Sequence, residues 1–487
     1  MTAVNPVAGA ILLLTASAVV GLLALIHIRT RGRVDGLNLR LFMVLNFLLA
    51  NVVSGFAHVL GWSKDRGFYE VLSGDPVGST SGLTTAAWAT FLASCALWAG
   101  LVVPRPRLFP ARDDSREVPR RPLAPENLYS FAAAHRVSVG GLALVLAAAG
   151  GVGLIRVMGA TTDQTGGRII SVDGGNARYA FLAGWLPWAV TLLVLAFAAR
   201  RRATGQAVWN TLLLVGGLAA LAVSATWNGG RAEIAYVAFP LLAIMLPRIS
   251  ILRWPLIVAG AVAMVVFVVA TTSQRVGATT DPWSFIDWQW GRFSMSAWAS
   301  NHTALHGETI WSALINVPLA LLHLGGVSVD NPFRSMVQVS GYDLLGGEDQ
   351  IYVVPGFSAE MLLNFGLVGV VAGYFLLGIF SAVVSDAYSR SRSETNRLLL
   401  ATVGSTLVFQ GIVGQLESFE VFVTLSILPL WALWVAERLF ARPCDLGQPL
   451  EPGPAASSAP GSPGGQCGPN GTSGATALGG ARAPARL

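Results

Sequence analysis

Four stretches of this chain hold residues whose types and spacing could do chemistry. In the first, Trp227-Asn228-Gly229-Gly230-Arg231-Ala232-Glu233 makes a glycine-dependent turn between two apolar runs. An arginine at such a position is costly without a partner. Its planar fork of donors matches phosphate oxygens, so a lipid diphosphate suits Arg231, as would Glu233 or lipid headgroups. In the second, Val354-Pro355-Gly356-Phe357-Ser358-Ala359-Glu360-Met361-Leu362-Leu363-Asn364-Phe365-Gly366 leads into a long apolar run. Glu360 and Asn364 are four apart and so share one helical face. A carboxylate there should be paired or line a polar cavity, as a general base, an arginine partner or a structural acceptor.

In the third, Asn301-His302-Thr303-Ala304-Leu305-His306-Gly307-Glu308 spaces two histidines to share a metal if the segment is helical. The glutamate that a zinc protease needs directly after the first histidine is missing, and no cysteine lies close by. An acid or base role suits His302 better, because imidazole changes charge near neutral pH; an exposed, hydrogen-bonded loop histidine is the plain alternative. In the fourth, Arg275, Arg292 and Arg334 are the only arginines or lysines of segment 273–355, among acids such as Asp281, Asp287, Asp330, Asp343, Glu348 and Asp349. They could line a groove for an anionic glycan or diphosphate, or sit in solvated ion pairs.

The chain has no GxxxxGK[ST] phosphate loop and no dinucleotide glycine fingerprint, and no DxD pair occurs in 273–355. ATP hydrolysis and metal-dependent transfer from nucleotide sugars are therefore disfavoured, and any donor must arrive already activated. The three cysteines, Cys95, Cys444 and Cys467, make neither a CxxC pair nor a disulfide framework. No metal and no cofactor are expected.

The elements that must position these residues are membrane spans. Hydrophobic residues make up 53% of the 487 and charged ones 12%, about half the share usual in a soluble domain. Apolar runs recur at about the 20-residue length that crosses a bilayer. The expected fold is all-α and polytopic, with about eleven transmembrane helices near 7–28, 39–61, 82–103, 136–157, 180–199, 206–225, 232–246, 254–272, 358–384, 398–416 and 419–437.

Basic residues flanking these runs number 21 on one side and 6 on the other. That asymmetry predicts a cytoplasmic-membrane protein with its N-terminus outside and C-terminus inside. The net charge of +6 thus reports topology and gives no reason to expect nucleic acid. The organisation that follows is a transmembrane bundle over 1–272, a large extracytoplasmic loop over 273–355, further spans over 356–442 and a disordered cytoplasmic tail over 443–487. The tail is Pro, Gly, Ala and Ser, with too little apolar surface to offset its ordering entropy. In the loop, Trp283, Trp288, Trp290, Trp298 and Trp311 are of the type that sits at a lipid interface. The apolar stretch 311–324 is too short for a span and contains Pro318, which suits an interfacial or re-entrant helix.

With those residues in view, the membrane portion up to Arg438 resembles the oligosaccharide repeat unit polymerases, the Wzy-type O-antigen polymerases, and more distantly the O-antigen ligases. The resemblance rests on the Gly229-Gly230-Arg231 turn, the long late loop and the Pro355-to-Gly366 segment with its glutamate and Asn-Phe-Gly. It implies a membrane-embedded, metal-independent glycosyltransferase acting on polyprenyl-diphosphate-linked oligosaccharide. Its further partners would be membrane lipids and a chain-length regulator or flippase. Arg231 and Glu360 carry over from the motifs as catalytic residues, and His302 joins them by loop position. Arg275, Arg292, Arg334 and Asn364 are expected to bind substrate. The outward N-terminus departs from the inward one common in that family. A ligase sharing the donor chemistry, and a non-enzymatic transporter of lipid-linked sugar, are the alternatives, although the span middles are mostly apolar.

Overall fold

The computed structural model describes residues 5–31, 39–62, 82–103, 136–160, 182, 185–186, 188–189, 192, 283, 291–302, 304–321, 338–340, 350–352, 355–390, 394–414, 416, 431–432 and 435. Contacts divide the chain into two units, Met1–Arg438 and Leu439–Leu487, and every described residue belongs to the first. The expected spans 206–225, 232–246 and 254–272, most of 180–199 and 419–437, and the tail 443–487 lie outside the described residues.

The described part is mostly helical. In chain order come α1 (Pro6–Arg31), α2 (Leu39–Phe47), a π-helical turn (Leu48–Val53), α3 (Ser54–Val59), α4 (Leu83–Val102), α5 (Arg136–Ala160), α6 (Phe293–Ala299), α7 (Glu308–Leu321), α8 (Phe357–Arg390) and α9 (Glu394–Val413). A small antiparallel ribbon, β1 (Gln338–Ser340) with β2 (Gln350–Tyr352), pairs Val339 with Ile351. Among the described residues, four stretches are long and apolar enough to cross a membrane: Pro6–Arg29, Leu39–Val59, Leu83–Val102 and Phe357–Ser389. The chain is therefore a helical membrane protein, since long uncharged apolar helices satisfy their backbone internally where water is absent.

The second of these stretches is interrupted by the π-helical turn. Ser54 N bonds back to Leu49 O, five residues earlier, and the Ala50 carbonyl receives the amide of Arg292 at 2.8 Å. Inserting an extra residue per turn re-aims side chains, and here it coincides with the buried amide of Asn51.

α8 is not one continuous helix. Gly366 sits at φ 64°, ψ −155°, a conformation open to glycine alone, and it splits α8 into arms 357–365 and 367–390. Ser358 Oγ lies 2.6 Å from Tyr374 Oη, although 16 residues of unbroken helix would separate them by about 24 Å. The Phe357 and Tyr374 rings meet edge-on at 5.3 Å. A Cβ added to Gly369 would fall 2.5 Å from Phe365 Cβ, and one added to Gly373 would fall 2.9 Å from Met361 Sδ. The first arm thus folds back antiparallel along the second, and glycines four apart let the two approach closely. The expected span at 358–384 falls within the candidate membrane stretch Phe357–Ser389; there a short re-entrant arm folds back, and the 367–390 arm, about 36 Å long, is sufficient for a hydrocarbon core of roughly 30 Å.

α4 packs most extensively on α8 and then on α1, while α9 packs on α8 and α2. The buried face of α4 is Ala86, Ala87, Ala89, Ala93, Ala96 and Gly100, and Gly100 meets the backbone of α8 at Gly378. Small residues substitute close van der Waals contact for the hydrophobic drive that lipid cannot supply. At the other end of α8, Arg40 forms an ion pair with Asp386, and the Asn46 amide donates to the Val408 carbonyl.

Candidate functional site

The re-entrant arm is the polar centre of this bundle. Its residues Ser358, Glu360 and Asn364 are 2%, 2% and 1% exposed. Four other elements reach it: the π-helical turn, the segment opening α6, the start of α7 and the end of α9.

Among the described residues, two donors reach the Glu360 carboxylate. Thr309 Oγ1 donates to Oε1 at 3.0 Å, and the Leu416 amide donates to Oε2 at 2.8 Å. Asn364 holds the same loop from one turn further along, as its spacing predicts. Its Oδ1 accepts from the Gly307 amide at 2.9 Å, while Nδ2 donates to Thr309 Oγ1 at 2.7 Å and to the Glu360 carbonyl at 2.8 Å. The Leu363 carbonyl, released from the helical ladder by the break at Gly366, accepts the Leu305 amide at 2.9 Å. Thr309 joins the two predicted residues and carries no motif of its own; only its place one residue after Glu308, in the first turn of a helix, is visible in the chain.

Arg292 is 8% exposed and immediately precedes α6. Its Nε donates to the Val413 carbonyl at 2.8 Å and its Nη1 to the Gly291 carbonyl at 2.6 Å. A cation at a helix C-terminus offsets the partial negative charge of the last carbonyls. The side chain lies flat over Gly356, at φ 82°, where an added Cβ would come within 2.5 Å of Arg292 Cδ. Among the described residues, the polar contact of Ser358 with Asn51 Oδ1 at 3.1 Å ties this corner to the π-helical turn.

His302 is exposed and follows α6 in a bend. Its Nδ1 is 2.8 Å from the Trp298 carbonyl, and the two rings meet at a 40° tilt with centroids 4.2 Å apart. A carbonyl only accepts, so Nδ1 carries a proton, and the tautomer this selects for the uncharged ring has Nε2 as its acceptor. Trp298, expected at a lipid interface, is instead buried in the hydrophobic core, with His302 against its ring. His306 sits in a left-handed turn at φ 49°, so 302 and 306 are not on one helical face and the shared-metal geometry does not arise. No group of three metal-binding side chains occurs among the described residues.

The structure therefore joins Glu360 and Asn364 through Thr309, sets Arg292 on the same end of α9 that Glu360 holds, and leaves His302 exposed on the segment between α6 and α7. Arg231, Arg275 and Arg334 lie outside the described residues. As chemistry, the assembly offers a carboxylate held by two donors and an exposed imidazole of defined tautomer, separated by the loop that Asn364 secures. No family model matches the chain, and neither a curated protein nor a solved structure matches it.

Proposed function

We propose that the chain is a metal-independent glycosyltransferase that joins polyprenyl-diphosphate-linked oligosaccharide repeat units into a cell-surface polysaccharide at the outer face of the cytoplasmic membrane. The observation that carries this reading is the folded-back arm with buried Glu360 and Asn364 inside a bundle of apolar membrane-length helices. Irregular backbone and ionisable groups at membrane depth are costly, and they persist where a site requires them.

In the reaction proposed, an acceptor hydroxyl oxygen attacks the anomeric carbon of the donor glycan. The new glycosidic C–O bond forms as the C–O bond to the diphosphate breaks, and the diphosphate leaves with the bonding electrons. Arg231 grips the diphosphate and stabilises its developing charge, with Arg275 and Arg334 along the anionic part of the substrate. His302 Nε2 takes the hydroxyl proton. Glu360 holds the start of α7 to the end of α9, and Arg292, with Nε and Nη1 on carbonyls, stiffens the same corner.

The test is the length profile of surface and lipid-linked glycans in cells with the gene deleted and then restored. Loss of long chains with single repeat units left on lipid is the expected result. Full-length polymer stranded on its lipid would instead identify a ligase, and repeat units trapped on the cytoplasmic side a transporter. An unchanged profile would overturn the reading altogether.

A further inference from the structure

Over its first two turns, 308–315, α7 buries its polar residues and exposes most of its large apolar ones. Its polar residues Thr309 and Ser312, with Ala313, are buried, at 1%, 0% and 0% exposed, whereas Trp311, Leu314 and Ile315 are 66%, 48% and 38% exposed. Each set follows the three-and-four spacing of one helical face. A helix lying in water on a protein surface shows the opposite arrangement, with its apolar stripe against the core. The buried polar face is accounted for: Thr309 bonds Glu360 and Asn364, and Ser312 Oγ donates to the Thr309 carbonyl. The exposed apolar face continues onto α8. Gly307, just before α7, lies against Phe365, where an added Cβ would be 3.3 Å from Phe365 Cζ, and Phe365 and Val368 are themselves exposed.

We infer that α7 is a membrane-inserted helix that docks on the re-entrant arm by its polar face and turns Trp311, Leu314 and Ile315 to bilayer hydrocarbon. The occupant of this face is lipid acyl chain, because the patch is continuous with the exposed apolar side of a helix long enough to span the bilayer. Insertion holds Thr309 on Glu360 and Asn364, so the membrane itself helps to fix the polar network. The inference needs only that the chain lies in a membrane and is independent of the reaction proposed above.

The experiment uses the full-length chain with Cys95, Cys444 and Cys467 replaced by serine, reconstituted into phosphatidylcholine–phosphatidylglycerol vesicles. Nitroxide labels are placed singly through Trp311→Cys, Leu314→Cys and Ile315→Cys, with Val368→Cys as the reference on α8. Collision with molecular oxygen, which concentrates in hydrocarbon, is compared with collision with a water-soluble nickel chelate. Oxygen collision several-fold above nickel collision at the three α7 positions, as at 368, is the expected outcome. Nickel collision exceeding oxygen would place the face in water, and suppression of both would place it against protein such as a second copy; either result overturns the inference.

Discussion

Arg292 and Glu360 grip the same helix end. Arg292 donates to the Val413 carbonyl, the last residue of α9, and Glu360 accepts the Leu416 amide three residues on. Two side chains of opposite charge thus satisfy an acceptor and a donor where the chain leaves a helix inside an apolar bundle. Orphaned groups at a buried helix end are otherwise costly.

The role of the Glu360 carboxylate separates from its charge in two variants. Glu360→Ala leaves the Leu416 amide unpaired and is expected to cost about 2–3 kcal/mol, read as a lowered melting temperature in detergent. Glu360→Gln can keep these two contacts, its oxygen accepting from Leu416 and its amide donating to Thr309, so it should cost less than Glu360→Ala does. If polymer synthesis survives in Glu360→Gln, the carboxylate acts as a holder; if synthesis is abolished at an unchanged melting temperature, Glu360 takes part in proton transfer.

Asn364 uses both ends of its amide, so its aspartate variant is informative. In Asn364→Asp, an oxygen replaces the Nδ2 donor and faces Thr309 Oγ1 and the Glu360 carbonyl, with Glu360 one turn away. A loss of about 3 kcal/mol is expected, the range for breaking a buried hydrogen-bonded network. A thermal melt matching the parent would show that the loop does not depend on this residue.

The hairpin at Gly366 predicts a cross-link. Met361→Cys with Gly373→Cys places two thiols in contact across the hairpin, whereas an unbroken helix would keep them about 18 Å apart. Mild oxidation followed by mass spectrometry of the digested protein should recover the joined peptides. Their absence under conditions that oxidise the thiols would mean that α8 runs straight. Gly366→Ala should destabilise by about 1–3 kcal/mol through backbone strain alone, since open space surrounds the position.

The tautomer of His302 supplies a test of the proposed base. In His302→Asn, a side-chain amide can still donate to the Trp298 carbonyl, but nothing replaces Nε2. Stability is expected to change by less than about 0.5 kcal/mol, as for an exposed position. Glycan transfer by purified protein should fall by roughly 10²–10⁴-fold, the usual contribution of a general base. Transfer at the parental rate would remove His302 from the mechanism.

By contrast, the Arg40–Asp386 pair should matter little. Both side chains are partly exposed. Asp386→Asn is expected to shift stability by no more than about 1 kcal/mol, the range for solvent-accessible ion pairs. A larger loss of melting temperature would mean that this end of α8 is more enclosed than its exposure indicates.

Composition and periodicity by themselves determined that this is a helical membrane protein, because a 20-residue apolar run has few other stable states in lipid. They placed helices at 7–28, 39–61, 82–103, 136–157 and 398–416 close to α1, α2 with its π-helical turn and α3, α4, α5 and α9. The one-turn spacing of Glu360 and Asn364 was legible for the same reason, since it is a property of the local helix. The fold-back at Gly366 was not, because a glycine inside an apolar run costs a helix only about 1 kcal/mol and is equally compatible with passing straight through. Nor could spacing reveal the inverted faces of α7, or the meeting of Arg292, Thr309 and Glu360 at the end of α9. These residues are far apart in the chain, and their polar atoms find one another only after packing has removed water as the competing partner.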